Sequence, residues 1–325
     1  MHRRAFLGTL TGGLLAGPLA TFAQPAERTY QIGVVLEGGP YVAALDGLRS
    51  GLQALGLEEG RHFVLHVHDV KGDPSAVGPA ARALERQKVD LIYAVTTSVT
   101  LATRQATTRV PIVFYAGSDP VDAGLVQSFR KPGGRLTGVY SRTVDLTPKR
   151  FELLKVMLPR LRRVVTFYRR DNAIAVRSVE AMREVARELK VELLERPVAS
   201  FDELRASLRA LKPGVADAYL QAGDATIVSQ TDLILETARA KRLPTMFSDE
   251  TSVVRGGLAS YGMNYRTASQ HAAAYVRRVL LGATSGDLPV EQLDEPYTVI
   301  NLRTAKALDL KIPPPLLQRA DRVIE

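Results

Sequence analysis

Hydroxyl, amide and carboxylate side chains recur in this chain directly after short apolar segments that read as β-strands. In a sheet of parallel strands, small ligands bind beyond the carboxyl ends of the strands, where the following helices begin. Six such loops therefore predict a ligand-binding face. The candidate residues are Glu37, Gly38, Thr97, Ser98, Ser118, Asp119, Asn172, Asp224, Asp249 and Glu250. Helix capping explains the same residue types at any single loop, but less well at all six together.

Thr97 and Ser98 are the candidates with the most definite chemistry. Two hydroxyls and the unpaired N–H groups of a helix start favour a nearby anion such as a carboxylate, by about 0.3 to 1 kcal/mol. Three acidic candidates could pair with an amine on the same ligand, namely Asp224, Asp249 and Glu250. Tyr41 or Tyr140 could supply an aromatic wall, although ordinary packing explains either tyrosine equally well. A zwitterion such as an amino acid would use both charged ends.

The sequence lacks the short motifs of common nucleotide sites and nucleophilic enzymes. No G-x-G-x-x-G, G-x-x-x-x-G-K-[ST] or G-x-S-x-G follows a predicted strand. There is no cysteine and there are only five histidines, so a nucleophile with a matching base is hard to assemble. His62, His66 and His68 alternate along one strand face beside Asp69, but no further ligand lies at motif spacing. We therefore expect no metal, no cofactor and no catalytic residue.

Two rival interpretations use the same loops. In a secreted α/β enzyme, Asp119, Asp224 or Glu250 would serve as acid or base, and two carboxylates about 5 to 10 Å apart would suit a glycosidase. A ligand-sensing protein for a membrane receptor would need only a binding cleft. The residues by themselves leave both rivals open.

The elements that must position these loops alternate between strand and helix in two consecutive halves. The predicted strands are 32–36, 63–67, 91–95, 112–115, 164–167, 191–194, 218–220 and 245–247. This alternation is typical of parallel sheets covered by helices, and a single helix is predicted over 226–241. The sequence therefore predicts an α/β fold of two similar lobes, each a parallel β-sheet flanked by helices, joined by a hinge with several crossings. We assign residues 30–138 and 252–288 to lobe 1, and residues 139–251 and 289–325 to lobe 2.

The N-terminal segment reads as an export signal. Arg3 and Arg4 precede an apolar, glycine-rich stretch, residues 5–20, that is too short for a membrane span. Ala23 ends a pattern of small residues typical of cleavage, which predicts a signal peptide over residues 1–23 and export by the twin-arginine route. No cysteine follows the stretch to carry a lipid. We expect a monomeric protein in the periplasm.

The charge balance bears on one class of partner. The 325 residues include 43 basic and 34 acidic ones, for a net charge of +9. The two signs are interleaved rather than grouped into a basic stripe, so a nucleic-acid partner is not expected.

Several stretches occur in the order and spacing of one protein family. They are GLQALGLEEGR (51–61), PIVF (111–114), SDPV (118–121), AGLV (123–126), KPGGRLTGV (131–139), KRFELLK (149–155), GLASYG (257–262) and VINLRTAKAL (299–308). Over essentially its whole length the sequence resembles the ABC-transporter substrate-binding proteins of the tryptophan/tyrosine type. The resemblance implies a two-lobe periplasmic binding protein of type I, which closes over a small ligand and delivers it to a membrane permease.

The resemblance also implies where a ligand binds. Carried over by motif, the ligand loops of the family fall on Thr97, Ser98, Ser118, Asp119, Asn172, Asp224 and residues 248–250. One departure is the Arg-Arg-Asp-Asn turn at 169–172, where many members have an Asn-Pro turn, and its two cations would favour a more acidic ligand. We interpret the chain as a non-catalytic receptor for a small carboxylate-bearing solute, with an amino acid as the first candidate.

Overall fold

The computed structural model describes residues 28–325. The predicted signal peptide, residues 1–23, lies outside the described residues. None of the helices in the described part of the chain is long and apolar enough to cross a membrane.

Strands and helices alternate along most of the described chain. The strands are β1 (Tyr30–Leu36), β2 (Phe63–Asp69), β3 (Leu91–Val95), β4 (Ile112–Ala116), β5 (Leu136–Tyr140), β6 (Arg163–Tyr168), β7 (Glu192–Pro197), β8 (Ala218–Leu220), β9 (Thr245–Phe247), β10 (Ala259–Gly262), β11 (Glu291–Gln292), β12 (Tyr297–Asn301) and β13 (Arg322–Ile324). The α-helices are α1 (Ala43–Ala54), α2 (Pro74–Arg86), α3 (Thr97–Ala106), α4 (Thr147–Met157), α5 (Ala173–Glu188), α6 (Phe201–Ala210), α7 (Ala225–Ser229), α8 (Thr231–Ala240), α9 (Glu250–Val254), α10 (Tyr265–Leu280), α11 (Leu302–Ala307) and α12 (Pro314–Arg319).

All eight predicted strands are present, with ends within three residues of the prediction. The single helix predicted over 226–241 is wrong. The chain leaves helical geometry at Gln230, where φ is −96° and ψ is 22°, so α7 and α8 are separate helices.

The strands form two sheets, as the α/β prediction requires. The first has the order β11-β5-β4-β3-β1-β2, and all of its pairs are parallel. The second has the order β13-β12-β10-β9-β8-β6-β7 and is parallel except for the antiparallel pair β10–β12. Because the loops after parallel strands share one edge of a sheet, each sheet presents a row of loops at its carboxyl end.

Close packing of α1 against α10 fixes one side of the first lobe. Leu48 and Leu52 of α1 are buried in the same hydrophobic cluster as the inner face of α10. A Cβ atom on Gly47 would lie 2.1 Å from the carbonyl oxygen of Arg266, so this approach requires glycine. A glycine inside a helix costs about 0.5 to 1 kcal/mol relative to alanine, which the packing must offset. The contact holds the start of α10, with Tyr265, in a fixed place.

The chain passes between the sheets after β5, after β10 and after β11. The lobe boundaries predicted from the sequence do not follow the strand pairing everywhere. β10 falls in the range assigned to lobe 1 but pairs with β9 and β12, whereas β11 pairs with β5. From the pairing we propose that lobe 1 comprises residues 30–141 and 264–292, and lobe 2 residues 142–263 and 293–325.

A buried arginine ties two of these crossings together. Arg150 of α4 has no exposed surface. Its guanidinium donates hydrogen bonds to the carbonyl oxygen of Thr143 at 2.9 Å, on the first crossing, and to that of Tyr261 at 3.2 Å, at the second. Burial lowers the pKa of Arg150 to about 10, so the side chain stays charged at neutral pH. The arginine is therefore placed to hold the chain segment after β5 next to β10.

Candidate functional site

A cleft between the lobes, at the carboxyl ends of both sheets, is the candidate site. Its empty space is about 520 Å³ including its opening to solvent. The lining residues come from both lobes: Tyr41, Thr96, Thr97, Ser98, Tyr115, Gly117, Thr143, Val144, Asn172, Ile174, Gly223, Ala225, Val228, Ser248 and Tyr265. Four residues of the predicted ligand loops, Thr97, Ser98, Asn172 and Ser248, are among them, and so is Tyr41. Apart from the tyrosines, no lining side chain is ionisable.

The start of α3 forms one end of the cleft. Thr96 caps the helix, and its Oγ1 accepts a hydrogen bond from the N–H of Val99 at 3.3 Å. The carbonyl oxygen of Thr96 accepts the N–H of Thr100 at 3.0 Å. The N–H groups of Thr97 and Ser98 therefore have no partner within the helix.

The backbone of Thr96 is strained. With φ at 92° and ψ at 157°, it occupies a region that residues other than glycine rarely adopt, at a cost of about 1 to 3 kcal/mol. Such strain persists where the surrounding structure fixes it and is commonest at binding sites. No pattern in the sequence signals this conformation.

Neighbouring loops hold the two hydroxyls of α3 in place. Thr97 Oγ1 shares a hydrogen bond of 2.9 Å with Ser118 Oγ and accepts the N–H of Gly117 at 3.2 Å. Ser98 Oγ donates to Glu37 Oε1 at 3.2 Å. Ser118, a predicted binding residue, thus lies behind Thr97 rather than in the cavity lining.

Three buried tyrosines form one wall of the cleft. The ring of Tyr265 lies 4.8 Å from that of Tyr41 and 6.0 Å from that of Tyr115, centre to centre. Burial raises the pKa of Tyr115 to about 12, so its hydroxyl stays neutral and bonds to Ser141 Oγ at 2.9 Å. The sequence suggested only Tyr41. Tyr115 lies inside a buried strand, and Tyr265 reaches the cleft only because α10 returns to lobe 1.

Asn172 and Asp224 cap helices at the edge of the second lobe. Asn172 Oδ1 accepts the N–H of Ile174 at 3.0 Å. Asp224 is fully buried, with Oδ1 accepting the N–H of Thr226 at 3.1 Å and Oδ2 that of Arg169 at 2.7 Å. Burial raises the pKa of Asp224. Because backbone donors occupy both of its oxygens, Asp224 supports the cleft without lining it.

Asp249 and Glu250 are also engaged by the protein. Asp249 caps α9, accepting the N–H and the hydroxyl of Ser252, each at 2.8 Å. Burial raises the pKa of Asp249 to about 6. Glu250 accepts hydrogen bonds from Asn264 and Arg322. The structure places neither carboxylate in the cavity lining.

Three further predicted residues lie outside the lining. Asp119 accepts the N–H of Val121 at 2.8 Å within its own turn, as the capping explanation expects. Gly38, with φ at 72°, makes the tight turn after β1. Tyr140 stacks on Phe129, with ring centres 5.4 Å apart, and its hydroxyl donates to Gln292 Oε1 at 2.6 Å.

Glu37 differs from the other buried acids of the site, Asp224 and Asp249, because one of its oxygens has no partner. It is buried at the end of β1, and among the described residues Oε2 accepts no hydrogen bond. Burial, with a smaller contribution from the charge of Asp224, raises the pKa of Glu37 to about 7. It borders a continuation of the cleft that shares Ser98 and Asn172 with the main cavity.

The two lobes touch across the cleft. Ala225 and Val228 of α7, in lobe 2, belong to the buried cluster of lobe 1 that contains Tyr41. A Cβ atom on Gly39 would lie 2.6 Å from the carbonyl oxygen of Ser229, so backbone meets backbone there. These contacts define a closed arrangement of the lobes.

The histidines on β2 and before it make local contacts. His62 Nδ1 accepts the N–H of Glu58 at 2.9 Å, and His66 bonds to Gln31 Oε1 at 2.7 Å. Within residues 28–325, no three histidine, aspartate or glutamate side chains lie close enough together to hold a metal ion.

Comparison with known sequences gives a family match over the described chain. The family described as ABC transporter substrate binding protein matches residues 30–324. A tyrosine-binding protein from Clostridioides difficile is 30% identical over 286 residues, which cover 88% of this chain and 82% of that protein.

Comparison with solved structures gives similar folds over most of the chain. An ABC domain in complex with L-Trp from Streptococcus pneumonia is similar with a TM-score of 0.80 and 24% identity, over 91% of this chain and all of that one. The ligand-free, open structure of a substrate binding protein with adhesive properties from Clostridium difficile gives a TM-score of only 0.61 at 25% identity. That match covers 91% of this chain and 99% of the other.

Proposed function

The chain belongs to the family of ABC transporter substrate-binding proteins, and we propose that it captures an amino acid between its lobes and presents it to a membrane permease. The first candidates are L-tyrosine and L-tryptophan. A tyrosine-binding relative and a structural neighbour in complex with L-Trp support this choice.

The observation that carries the proposal is the composition of the interlobe cleft. One end offers the N–H groups of Thr97 and Ser98 at a helix start, which suit a carboxylate. The wall offers the rings of Tyr41, Tyr115 and Tyr265, which suit a planar or aromatic side chain. Both features belong to lobe 1, and lobe 2 adds Asn172, Ile174 and Ser248 to the same lining. A ligand held in the cleft therefore contacts both lobes.

Binding at such a site acts by a shift of population. A ligand that contacts both lobes only when they are closed favours the closed state by its difference in affinity for the two states. The permease would then recognise surfaces that closure brings together. We propose that the receptor does this as a monomer.

The enzyme alternative assigned the role of acid or base to Asp119, Asp224 or Glu250. Asp224 is held by backbone donors, Asp119 by its own turn, and Glu250 by Asn264 and Arg322. The family and its solved relatives are solute-binding proteins, which supports a non-catalytic role. The ligand-sensing alternative differs from the transport role only in its partner, since a membrane receptor rather than a permease would bind the closed state.

A thermal-shift screen of residues 24–325 tests the ligand class. L-tyrosine, L-tryptophan, other amino acids, sugars and nucleosides would each be added in excess. A ligand at about 100 times its Kd adds about 2.7 kcal/mol, which raises Tm by a few degrees in a protein of this size. We expect shifts confined to amino acids, and a shift confined to sugars or nucleosides would contradict the proposal.

We further propose that residues 1–23 direct export to the periplasm by the twin-arginine route. Cell fractionation would show the mature chain in the periplasm. A double variant with Arg3→Lys and Arg4→Lys should then accumulate in the cytoplasm, and unchanged export would contradict this route.

A further inference from the structure

We propose that Glu37 binds the ammonium group of the ligand, and that Asp224 in the opposite lobe reinforces its negative charge. This inference rests on the proposed function, and assigns the amine end of the ligand to one side chain. The predicted amine partners Asp224, Asp249 and Glu250 are all occupied by the protein, as described above.

Glu37 has one carboxylate oxygen that can still accept a hydrogen bond. The side chain is 1% exposed, Oε1 is bonded to Ser98, and Oε2 has no hydrogen-bond partner among the described residues. Leaving a buried polar atom unsatisfied is unfavourable, and more so when the atom carries charge. Because Ser98 also lines the main cavity, a group bound at Oε2 lies next to the proposed carboxylate end.

The charges around Glu37 leave it without a cation of its own. Asp224 faces it from lobe 2. Burial and, to a smaller extent, the charge of Asp224 raise the pKa of Glu37, whereas the hydroxyls of Ser98 and Thr226 and the charge of Arg169 lower it. Arg169 lies near both carboxylates, but its guanidinium is bonded to Asp171 through Nε, at 2.9 Å, and through a terminal nitrogen.

Besides Arg169–Asp171, a second ion pair borders the continuation of the cleft next to Glu37. Arg177 of lobe 2 lies 3.9 Å from Asp122 of lobe 1. Each arginine at the border is therefore matched by an aspartate, and the buried pair Glu37 and Asp224 remains in excess.

An ammonium group supplies the positive charge and the hydrogen-bond donor that Glu37 Oε2 lacks. It brings a positive charge and three N–H donors, and charge-assisted hydrogen bonds are about twice as strong as neutral ones. A sugar hydroxyl could donate to Oε2 but would leave the charge uncompensated. The site therefore selects for an amine.

The arrangement also couples recognition to closure. Glu37 belongs to lobe 1, whereas Asp224 and Thr226 belong to lobe 2. Bringing two carboxylates together in a buried site is unfavourable unless a cation enters with them. An amine ligand thus favours the closed state more than an otherwise identical ligand without the amine.

The test compares Glu37→Gln with the wild type by isothermal titration calorimetry. The probes are L-tyrosine, L-tryptophan, their analogues without the amine (3-(4-hydroxyphenyl)propionate and indole-3-propionate), and tyramine, which keeps only the amine. Glu37→Gln preserves shape and removes charge, so we expect affinity for the two amino acids and tyramine to fall about 10- to 100-fold. The analogues without the amine should bind Glu37→Gln at least as tightly as they bind the wild type, because the variant lacks the repulsion between the two carboxylates.

Controls separate this inference from the proposed function. Glu152→Gln, on the exposed side of α4, removes one carboxylate far from the cleft and should leave every affinity unchanged. The Tm of Glu37→Gln should be no lower than that of the wild type. Glu37→Asp keeps the charge on a shorter side chain, so its affinity for the two amino acids should lie between those of the wild type and Glu37→Gln.

Three outcomes would decide against the proposals. Unchanged affinity of Glu37→Gln for the amino acids, or an equal loss for ligands with and without the amine, would overturn the role of Glu37. A wild type that binds none of the amino acids would instead overturn the proposed function. If that wild type still bound tyramine and Glu37→Gln did not, the ammonium site would be supported although the proposed function had failed.

Discussion

Asp249 shows how a single buried carboxylate shapes the pH dependence of this protein. Burial raises its pKa from 3.8 to about 6 although Ser252 donates two hydrogen bonds to it. A raised pKa means that the folded state binds the proton more tightly than the unfolded state. The contribution of Asp249 to stability is therefore fully present below about pH 3.8 and is lost as the pH rises through about 6.

The variant Asp249→Asn should remove this contribution to the pH dependence. Asparagine caps helices as well as aspartate does, so α9 keeps its cap. The free energy of unfolding of the wild type should fall relative to the variant by about 2 kcal/mol between about pH 4 and pH 7.

Urea unfolding of both proteins at the two pH values measures this difference. Burial also raises the pKa values of Glu37 and Asp224. Their effect on the pH dependence of unfolding is the same in both proteins and cancels in the comparison. Parallel pH curves for wild type and variant would show that Asp249 does not titrate as described.

Among the elements, the loop after β2 meets the second lobe closely, and we propose that this contact affects closure. A Cβ atom on Gly72 would lie 2.1 Å from Ser229 Oγ and 2.8 Å from the ring of Phe201. Gly60 has nearly the same backbone conformation, with φ at 86° against 80°, but nothing lies within 4 Å of its Cβ position. The two glycines form a matched pair that separates backbone strain from contact between lobes.

We predict different consequences for Gly72→Ala and Gly60→Ala. Each places alanine in the left-handed region, which lowers stability by about 1 to 2 kcal/mol. Only Gly72→Ala also pushes the lobes apart, so its affinity for L-tyrosine or L-tryptophan should fall about 5- to 100-fold, as overpacking of about 1 to 3 kcal/mol implies.

Calorimetric titration of both variants, with Tm as the measure of strain, distinguishes the two effects. Equal affinities for the two variants would mean that the contact between Gly72 and Ser229 plays no part in the ligand-bound state.

The elements that sequence patterns predict are those whose burial is continuous. Strands such as β3 and β4 are buried along their whole length, and a run of apolar residues in a parallel sheet marks them directly. α4 went unpredicted because it buries Arg150 and leaves Val156 about half exposed, which spoils its helical pattern. β10 went unpredicted because its four residues, ASYG, include two small polar or glycine positions between glycine-rich turns.

The candidate site was predictable as a set of loops but not as a set of contacts. Topology places Thr97, Ser98 and Asn172 at the ends of strands, and strand ends can be read from the sequence. Whether a carboxylate faces the cleft or caps its own helix depends on the tertiary structure. Asp224 and Glu37 both follow buried strands, yet only Glu37 retains a free oxygen.

For the molecule as a whole, the closed lobes and the tyrosine wall support our proposal that an aromatic amino acid binds between the lobes. The chain contains no tryptophan. When indole is excited selectively, L-tryptophan added to the protein is therefore the only source of emission. A ligand buried against Tyr41, Tyr115 and Tyr265 loses its contact with water.

Titration of the mature protein, freed of bound ligand by unfolding and refolding, against L-tryptophan tests that claim most directly. We predict saturable binding at one site per chain, with the indole emission shifted to shorter wavelength and with the shift reversed by excess L-tyrosine. Emission that stays at the position of free L-tryptophan throughout the titration, in protein that is folded and empty, would contradict the account.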